Sequence, residues 1–151
     1  MNTRAIGLLG LFLVTSAHVI PPGDSLYGRV TAVRSADVVV LTHAAGQYTL
    51  RLVGIAPPAA TRAASEATAF VRNLVLNKPA RMRLEGRDRN GVLRARLYTA
   101  DSTTGIVEVN VELVRAGLVR KVANFDFKYG ELANAEREAR VARRGVFAAP
   151  R

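Results

Sequence analysis

The sequence predicts an α+β protein, mainly β: a small domain in the order three strands, helix, two strands, helix, helix, behind an apolar N-terminal segment. Three observations predict this class. Short stretches rich in β-branched residues alternate or run continuously before residue 55. An Asn90-Gly91 pair marks a hairpin between two further apolar-alternating stretches. Apolar residues recur at helical spacing in three other segments.

The N-terminal segment comes first. Residues 5–20 carry no charge, a lone Arg4 precedes them, and the sequence PPGD ends the run at residues 21–24. The run is shorter than the roughly 20 residues that a bilayer core needs. It is therefore either a short helical membrane anchor, a secretory signal with a cleavage region at residues 15–17, or a buried helix of a soluble protein. We favour the anchor and divide the chain into residues 1–22, anchor or signal segment, and residues 25–151, the domain.

The first half of the domain is predicted to hold three strands and a helix. The strands begin near Val30, run continuously through residues 38–41, and alternate through residues 48–53 after a turn at 44–47. Two prolines at 57 and 58 end the third strand, because proline cannot donate to a ladder. A helix is expected over residues 65–76 with Ser65 as its N-cap. Its apolar face comprises Ala67, Phe70, Val71, Leu74 and Val75.

The second half is predicted to hold a hairpin and two helices. Residues 79–84 and 93–97 form the hairpin strands, and their alternation places Arg94 and Arg96 on the face opposite the core. A short helix over residues 110–116 ends at Gly117, a residue suited to a left-handed C-cap. The last helix is expected over residues 129–143, ending at Gly145.

Composition bounds the chemistry of the chain. It has no cysteine, which excludes disulfides, zinc–thiolate sites, thiol nucleophiles and iron–sulfur clusters. Only two histidines are present, so a multi-histidine metal site is not expected. The formal charge of +10 and the isoelectric point near 11.2 predict attraction to a polyanion: nucleic acid, an anionic membrane surface or an acidic protein.

Four short sequence motifs resemble those of a known family. They are RLVGI at residues 51–55 with Pro58, DRNG with ARLY at 88–91 and 95–98, VN with LVRAGL at 109–110 and 113–118, and AEREAR with GVF at 135–140 and 145–147. In this order they resemble the staphylococcal nuclease (thermonuclease-like) family. The resemblance covers residues 27–147 and implies a five-stranded OB-type barrel with three helices.

The same resemblance implies a degenerate catalytic site. Family members hold a divalent cation, usually calcium, with aspartates, activate water with a glutamate and neutralise the phosphate with two arginines. Arg51 matches the first arginine, and Asp37 keeps one aspartate. The positions of the other metal-binding aspartate, the general-base glutamate and the second arginine are occupied by Ala56, Ala59 and Val92. Residues 38–65 contain no acid, so no cofactor and no enzyme activity are expected.

The surviving site residues and the other arginines leave alternatives open. Arg51 either grips a phosphate or makes a structural hydrogen bond, and Asp37 either holds a metal alone or caps a turn. The hairpin arginines form either a nucleic-acid face or a solvated or protein-bound face. They are Arg81, Arg83, Arg87, Arg89, Arg94 and Arg96. The aromatic content of 6% is low for a protein that stacks on bases.

Together these features predict a membrane-tethered, catalytically inactive accessory or scaffold subunit of a larger protein complex. The basic surface and lack of cysteine are compatible with the mitochondrial inner membrane, with secretion as the alternative. Two hypotheses compete with this one on the same fold: a nucleic-acid-binding module and a residual calcium-dependent phosphodiesterase.

Overall fold

The structure, a computed structural model, describes residues 20–148. The predicted anchor helix lies outside the described residues except for its last position. That residue, Ile20, is buried and belongs to the hydrophobic core. Ile20 therefore packs with the domain that the sequence predicts to begin at residue 25. Within residues 20–148, no helix is both long enough and apolar enough to cross a membrane.

The described chain holds eight strands, three α-helices and one turn of 3₁₀ helix. The strands are β1 (Ser25–Ser35), β2 (Val38–His43), β3 (Gly46–Leu52), β4 (Ile55–Ala56), β5 (Pro79–Arg87), β6 (Leu93–Asp101), β7 (Gly105–Glu108) and β8 (Arg120–Lys121). The helices are α1 (Thr61–Val75), α2 (Val109–Arg115) and α3 (Glu131–Val141), and the 3₁₀ turn is Gly145–Phe147.

Five of the strands close into a barrel. The sheet order is β3-β2-β1-β5-β6-β7, and β3 also pairs in parallel with β6, which joins the two sides. The short strand β7 extends the sheet beyond β6, while β4 and β8 form a separate two-stranded pair. The predicted five-stranded barrel with three helices, mainly β, is confirmed.

The core lies inside the barrel and under the helices that cover it. Alternate residues of β5 and β6 point inward, as the sequence pattern predicted: Met82, Leu84, Leu93, Ala95 and Leu97 are all buried. On α1, the predicted apolar face is confirmed by buried Ala67, Val71 and Val75, with Phe70 and Leu74 packed against the core.

The start of α1 differs from the prediction. The helix begins at Thr61, with Ala60 in an extended conformation at its N-cap and no side-chain cap. Ser65 lies one turn inside the helix, so its predicted role as the cap is wrong. Arg62, Ala63 and Ala64 are all good helix formers, and they extend the helix back toward the prolines.

The last helix, in contrast, is shorter than predicted. It starts at Glu131, where the carboxylate of Asp126 accepts hydrogen bonds from the backbone amides of Leu132 (2.9 Å) and Ala133 (3.0 Å). This cap comes from a residue five positions upstream of the helix, so helical periodicity alone could not reveal it. At the other end, Arg143 adopts a positive φ of 51°, which stops the helix before the predicted Gly145.

Candidate functional site

The candidate site lies where β2, β3 and β6 run side by side. Arg51 on β3 is paired in register with Val38 of β2 on one side and with Arg94 of β6 on the other. Arg51 is exposed and Arg94 is half-buried. The parallel pairing that closes the barrel therefore brings together two arginines that are 43 positions apart in the sequence. Arg94 lies two residues beyond Val92, the position at which the family resemblance places the second catalytic arginine.

Asp37 is the acidic residue that the structure brings next to this pair. It precedes β2, and its backbone oxygen accepts a 2.8 Å hydrogen bond from the amide of Leu52. Its carboxylate accepts a 2.7 Å hydrogen bond from the hydroxyl of Ser35. Asp37 thus helps to hold the β1–β2 turn, as one of its two predicted interpretations has it.

Ala56 and Ala59 flank the two prolines that connect β4 to α1. Both alanines are exposed. A methyl group neither binds a cation nor accepts a proton, so the side chains at these two positions cannot take part in catalysis. The signal for this was present in the sequence as the acid-free interval from residue 38 to residue 65.

Val92 lies in the hairpin between β5 and β6. The connection spans residues 88–92, and the Asp88 carboxylate accepts hydrogen bonds from the amides of Asn90 and Val92, each 2.9 Å long. Gly91 has a φ of +78°, which suits a residue without a side chain. The predicted hairpin is confirmed, and the carboxylate of Asp88 is occupied by its turn.

The residues present do not fit a calcium ion. Calcium takes six to eight oxygen ligands, several of them from carboxylates. Asp37 is the acid beside Arg51, and Ser35 already donates to its carboxylate. In the part of the chain that the structure describes, no group of three His, Asp or Glu side chains could hold a metal ion. Beside Asp37, two arginines instead favour an anion.

Arg96 does not share the environment of Arg94. Its guanidinium makes two hydrogen bonds to Glu108, of 2.7 and 2.6 Å, and a longer one of 3.4 Å to Glu131. It also lies 3.8 Å from the ring centroid of Phe127, and only 12% of its side chain is exposed. The expectation that alternation leaves Arg96 on an open face therefore does not hold, because the segment leading into α3 covers it.

This burial changes the protonation of two side chains. Burial opposes the charge of Arg96, but the hydrogen bonds and negative charge of Glu108 outweigh it and raise the pKa of the guanidinium. Burial also raises the pKa of the neighbouring Tyr98 hydroxyl, and Glu108 adds to that shift. Arg96 therefore stays charged and paired within the protein, and Tyr98 stays neutral.

The other hairpin arginines lie either on strand β5 or at the turn of the hairpin. Arg81 lies over the ring of Tyr98, with its guanidinium carbon 4.4 Å from the ring centroid, and Arg83 lies 3.7 Å from Glu85. Arg87 donates a 2.9 Å hydrogen bond to the backbone oxygen of Gly91 at the hairpin, where Arg89 is exposed. The six arginines predicted to contact nucleic acid therefore do not share one environment, because the groups around them differ from residue to residue.

Sequence reasoning missed one buried polar residue that supports the site. Asn110 on α2 is 0% exposed. Its side-chain oxygen accepts a 3.0 Å hydrogen bond from the amide of Leu97, and its amide donates to the oxygens of Val53 (2.9 Å) and Ala95 (3.3 Å). It therefore joins the end of β3 to β6, beside the Arg51–Arg94 pair. In the sequence, the only indication of its importance was its place in the VN motif at residues 109–110.

Comparison with known proteins agrees with this fold. Residues 49–149 match the family model described as staphylococcal nuclease homologue. No curated protein matches the chain. The matched region includes Arg51, both alanines and the whole hairpin, and it makes up well over half of the sequence. The chain therefore belongs to the staphylococcal nuclease homologue family.

Proposed function

We propose that this chain is a catalytically inactive nuclease-fold domain that serves as an accessory or scaffold subunit of a larger assembly. The observation that carries the proposal is the composition of the candidate site around Arg51, Ala56, Ala59 and Val92, which we call the crevice. Ala56 and Ala59 stand where the family resemblance places a metal ligand and a general base, and no acid occurs between residues 38 and 65.

The size of the expected loss follows from the chemistry. Removing a positioned acid or base costs about 10²–10⁴-fold in rate. Removing one donor that stabilises developing charge costs about 10²–10³-fold. The losses are not additive, but each acts on the same transition state, and a weakened cation site removes the electrophile as well. Phosphodiester cleavage is therefore negligible, and the fold acts by binding.

Membrane tethering is the second part of the proposal. Residues 5–20 are uncharged and apolar, and the formal charge of +10 suits an anionic surface. We place the protein at a membrane, with the mitochondrial inner membrane as the setting and secretion as the alternative. Support comes from the apolar segment and from a basic composition without cysteine.

The accessory role is tested by native isolation. Membranes carrying the tagged full-length chain are solubilised gently, and the size and composition of the particle are measured. We expect a stoichiometric complex much larger than the 16.3 kDa chain. A chain that is recovered from the membranes as a free monomer contradicts the accessory role, and a chain absent from the membrane fraction contradicts the tether.

A second candidate function is nucleic-acid binding at the Arg51–Arg94 pair. The observation that favours it is the register of β3 and β6, which places the two arginines side by side, with neither in an ion pair within residues 20–148. Arginines positioned in this way contact phosphate groups of the backbone.

This candidate predicts a specific salt dependence. Arg51→Ala/Arg94→Ala should weaken binding to single-stranded DNA and lower the slope of log affinity against log salt by about 1.4, since each phosphate contact contributes about 0.7. The matched control is Arg72→Ala/Arg137→Ala, which removes two exposed arginines of α1 and α3 that likewise make no ion pair within residues 20–148. Equal effects of both variants, or no binding at low salt, would exclude this function.

A further inference from the structure

A second surface, distinct from the crevice, lies on the outer side of β1, β5, β6 and β7. In register, Tyr27 of β1 pairs with Arg81 of β5, Arg81 pairs with Tyr98 of β6, and Ala100 of β6 pairs with Ile106 of β7. Because side chains alternate along a strand, residues in register point to the same face. We call this surface the outer face; it comprises Tyr27, Arg29, Pro79, Arg81, Arg83, Tyr98, Ala100 and Ile106.

The outer face exposes large apolar side chains. Ile106 is 79% exposed and Tyr27 is 66% exposed, although the core inside the barrel is fully packed without them. A shallow groove of about 520 Å³ runs between them, with Pro79, Ala100 and the Tyr98 ring among its lining residues. Two large apolar side chains exposed beside one groove make this face available for contact with a partner or a membrane.

The apolar groove is bordered by positive charge. Arg29 donates to the backbone oxygen of Asn77 and makes no ion pair with any carboxylate of residues 20–148. Arg81 lies over Tyr98, and Arg83 is 3.7 Å from the exposed Glu85. Two other carboxylates lie at the margin: Asp101 accepts hydrogen bonds from the amides of Thr103 and Thr104, and Glu108 is paired with Arg96. Because Glu85 lies beside Arg83 and Glu108 is paired with Arg96, Arg29 and Arg81 remain against the single carboxylate of Asp101, so the outer face attracts an anionic partner.

The mixture of side chains favours a lipid surface over nucleic acid. Binding of single strands uses several free aromatic faces in succession. On the outer face Tyr27 offers one ring, while the guanidinium of Arg81 covers the ring of Tyr98 at 4.4 Å. Ile106 has no ring to stack. Tyrosine, an aliphatic side chain and arginines side by side are instead typical of the membrane interface, where apolar groups enter the acyl boundary and cations meet headgroups.

The path of the chain places this face near the predicted tether. The segment before β1 lies along β5, because the amide of Gly23 donates a 2.6 Å hydrogen bond to the oxygen of Leu84. Ser25 then pairs with Arg83 at the edge of the outer face. Tyr27 follows Ile20 by seven residues, which is at most about 25 Å of extended chain. Because Ile20 is itself buried in the core, a membrane segment would end before it and would leave the outer face within reach of the same bilayer.

We propose that the outer face docks on anionic lipid headgroups, with Tyr27 and Ile106 entering the interface and Arg29, Arg81 and Arg83 contacting the headgroups. The proposal extends the tethering proposed above by naming the face that meets the membrane. Docking fixes the orientation of the domain and leaves the crevice beside Arg51 available to other contacts.

The chain offers an unusually clean probe, since it contains no tryptophan. Ile106→Trp introduces a single fluorophore in the outer face of the full-length protein. Val141→Trp is the matched control, because Val141 is an exposed aliphatic residue of the same kind (81%) on α3. Emission and quenching by brominated lipid are measured on phosphatidylcholine vesicles with and without phosphatidylserine.

We expect a blue shift and quenching at position 106 on the vesicles that contain phosphatidylserine, and neither at position 141. Adding Arg81→Gln/Arg83→Gln to the reporter should lower the ratio of docked to undocked protein about 30-fold, from roughly 1 kcal/mol per arginine near such a surface. Quenching that is absent at 106, equal at both positions or unchanged by the arginine substitutions would overturn the proposal.

Two further measurements separate the alternatives. Flotation of the unmodified chain with phosphatidylcholine vesicles tests the tether alone, so a failed tether is distinguished from a failed docking face. Addition of single-stranded DNA to the Ile106→Trp protein tests the other polyanion. If DNA shifts the emission and lipid does not, the outer face is a nucleic-acid surface and the lipid proposal is wrong.

Discussion

Replacing Asn110 by alanine is expected to lower the free energy of unfolding by about 3 kcal/mol. The side chain is completely buried and bonds to the amide of Leu97 and the oxygens of Val53 and Ala95. The Ala95 oxygen also accepts from the amide of Val53 at 3.1 Å, so it keeps a partner in the variant. Leu97 and Val53 each lose theirs, and each buried unsatisfied group costs about 1–3 kcal/mol.

The matched control is Asn73→Ala on the exposed side of α1. Because that asparagine faces solvent and alanine is the better helix former, we expect a change of no more than about 0.5 kcal/mol. Denaturant unfolding of the two variants, followed by circular dichroism, measures both values. Equal stabilities of the two variants would show that Asn110 does not hold β3 against β6.

The same residue shows what the sequence could and could not predict. Periodicity predicted the strands, the hairpin and the apolar face of α1, because each is a local pattern along the chain. The closure of the barrel depends instead on Arg51 pairing with Arg94 and on Asn110 bridging Val53 to Leu97. These contacts join positions that are 13 to 57 residues apart. No local pattern encodes such contacts.

Arg96 illustrates the corresponding limit for the candidate site. Alternation along β6 placed it on the outer side of the strand, as it placed Arg94. Its burial comes from Glu108, Phe127 and Glu131, the last of these 35 residues away. By contrast, the absence of acids between residues 38 and 65 is visible in the sequence itself and needs no fold, whereas the assignment of Ala56 and Ala59 to catalytic positions rests on the family resemblance.

Introducing the side chains that the family resemblance expects at residues 56, 59 and 92 should produce the largest gain in DNA cleavage. The triple variant Ala56→Asp/Ala59→Glu/Val92→Arg returns a metal ligand, a general base and a second arginine to the crevice beside Asp37 and Arg51. We expect calcium-dependent cleavage of single-stranded DNA to rise by about 10² or more over the unmodified chain, since a positioned base and a charge-stabilising donor each contribute about that much.

The control for this gain adds the same side chains elsewhere. Ala69→Asp/Ala133→Glu/Val122→Arg changes three exposed positions outside the crevice and leaves the net charge equal to that of the restored variant. It should bind calcium no better than the unmodified chain and show no gain in cleavage. A gain of the same size in the control, or no gain in the restored variant with calcium bound, would mean that Ala56, Ala59 and Val92 do not account for the inactivity that we propose.

Cleavage by the unmodified chain in millimolar calcium tests the central claim most directly. A labelled single-stranded DNA is incubated with excess full-length protein, with Arg51→Ala as the partner sample. We predict that both proteins cleave at the rate of the buffer alone. Calcium-dependent cleavage that Arg51→Ala abolishes would contradict the account, because it would require a working metal site among residues in which we find one carboxylate, that of Asp37.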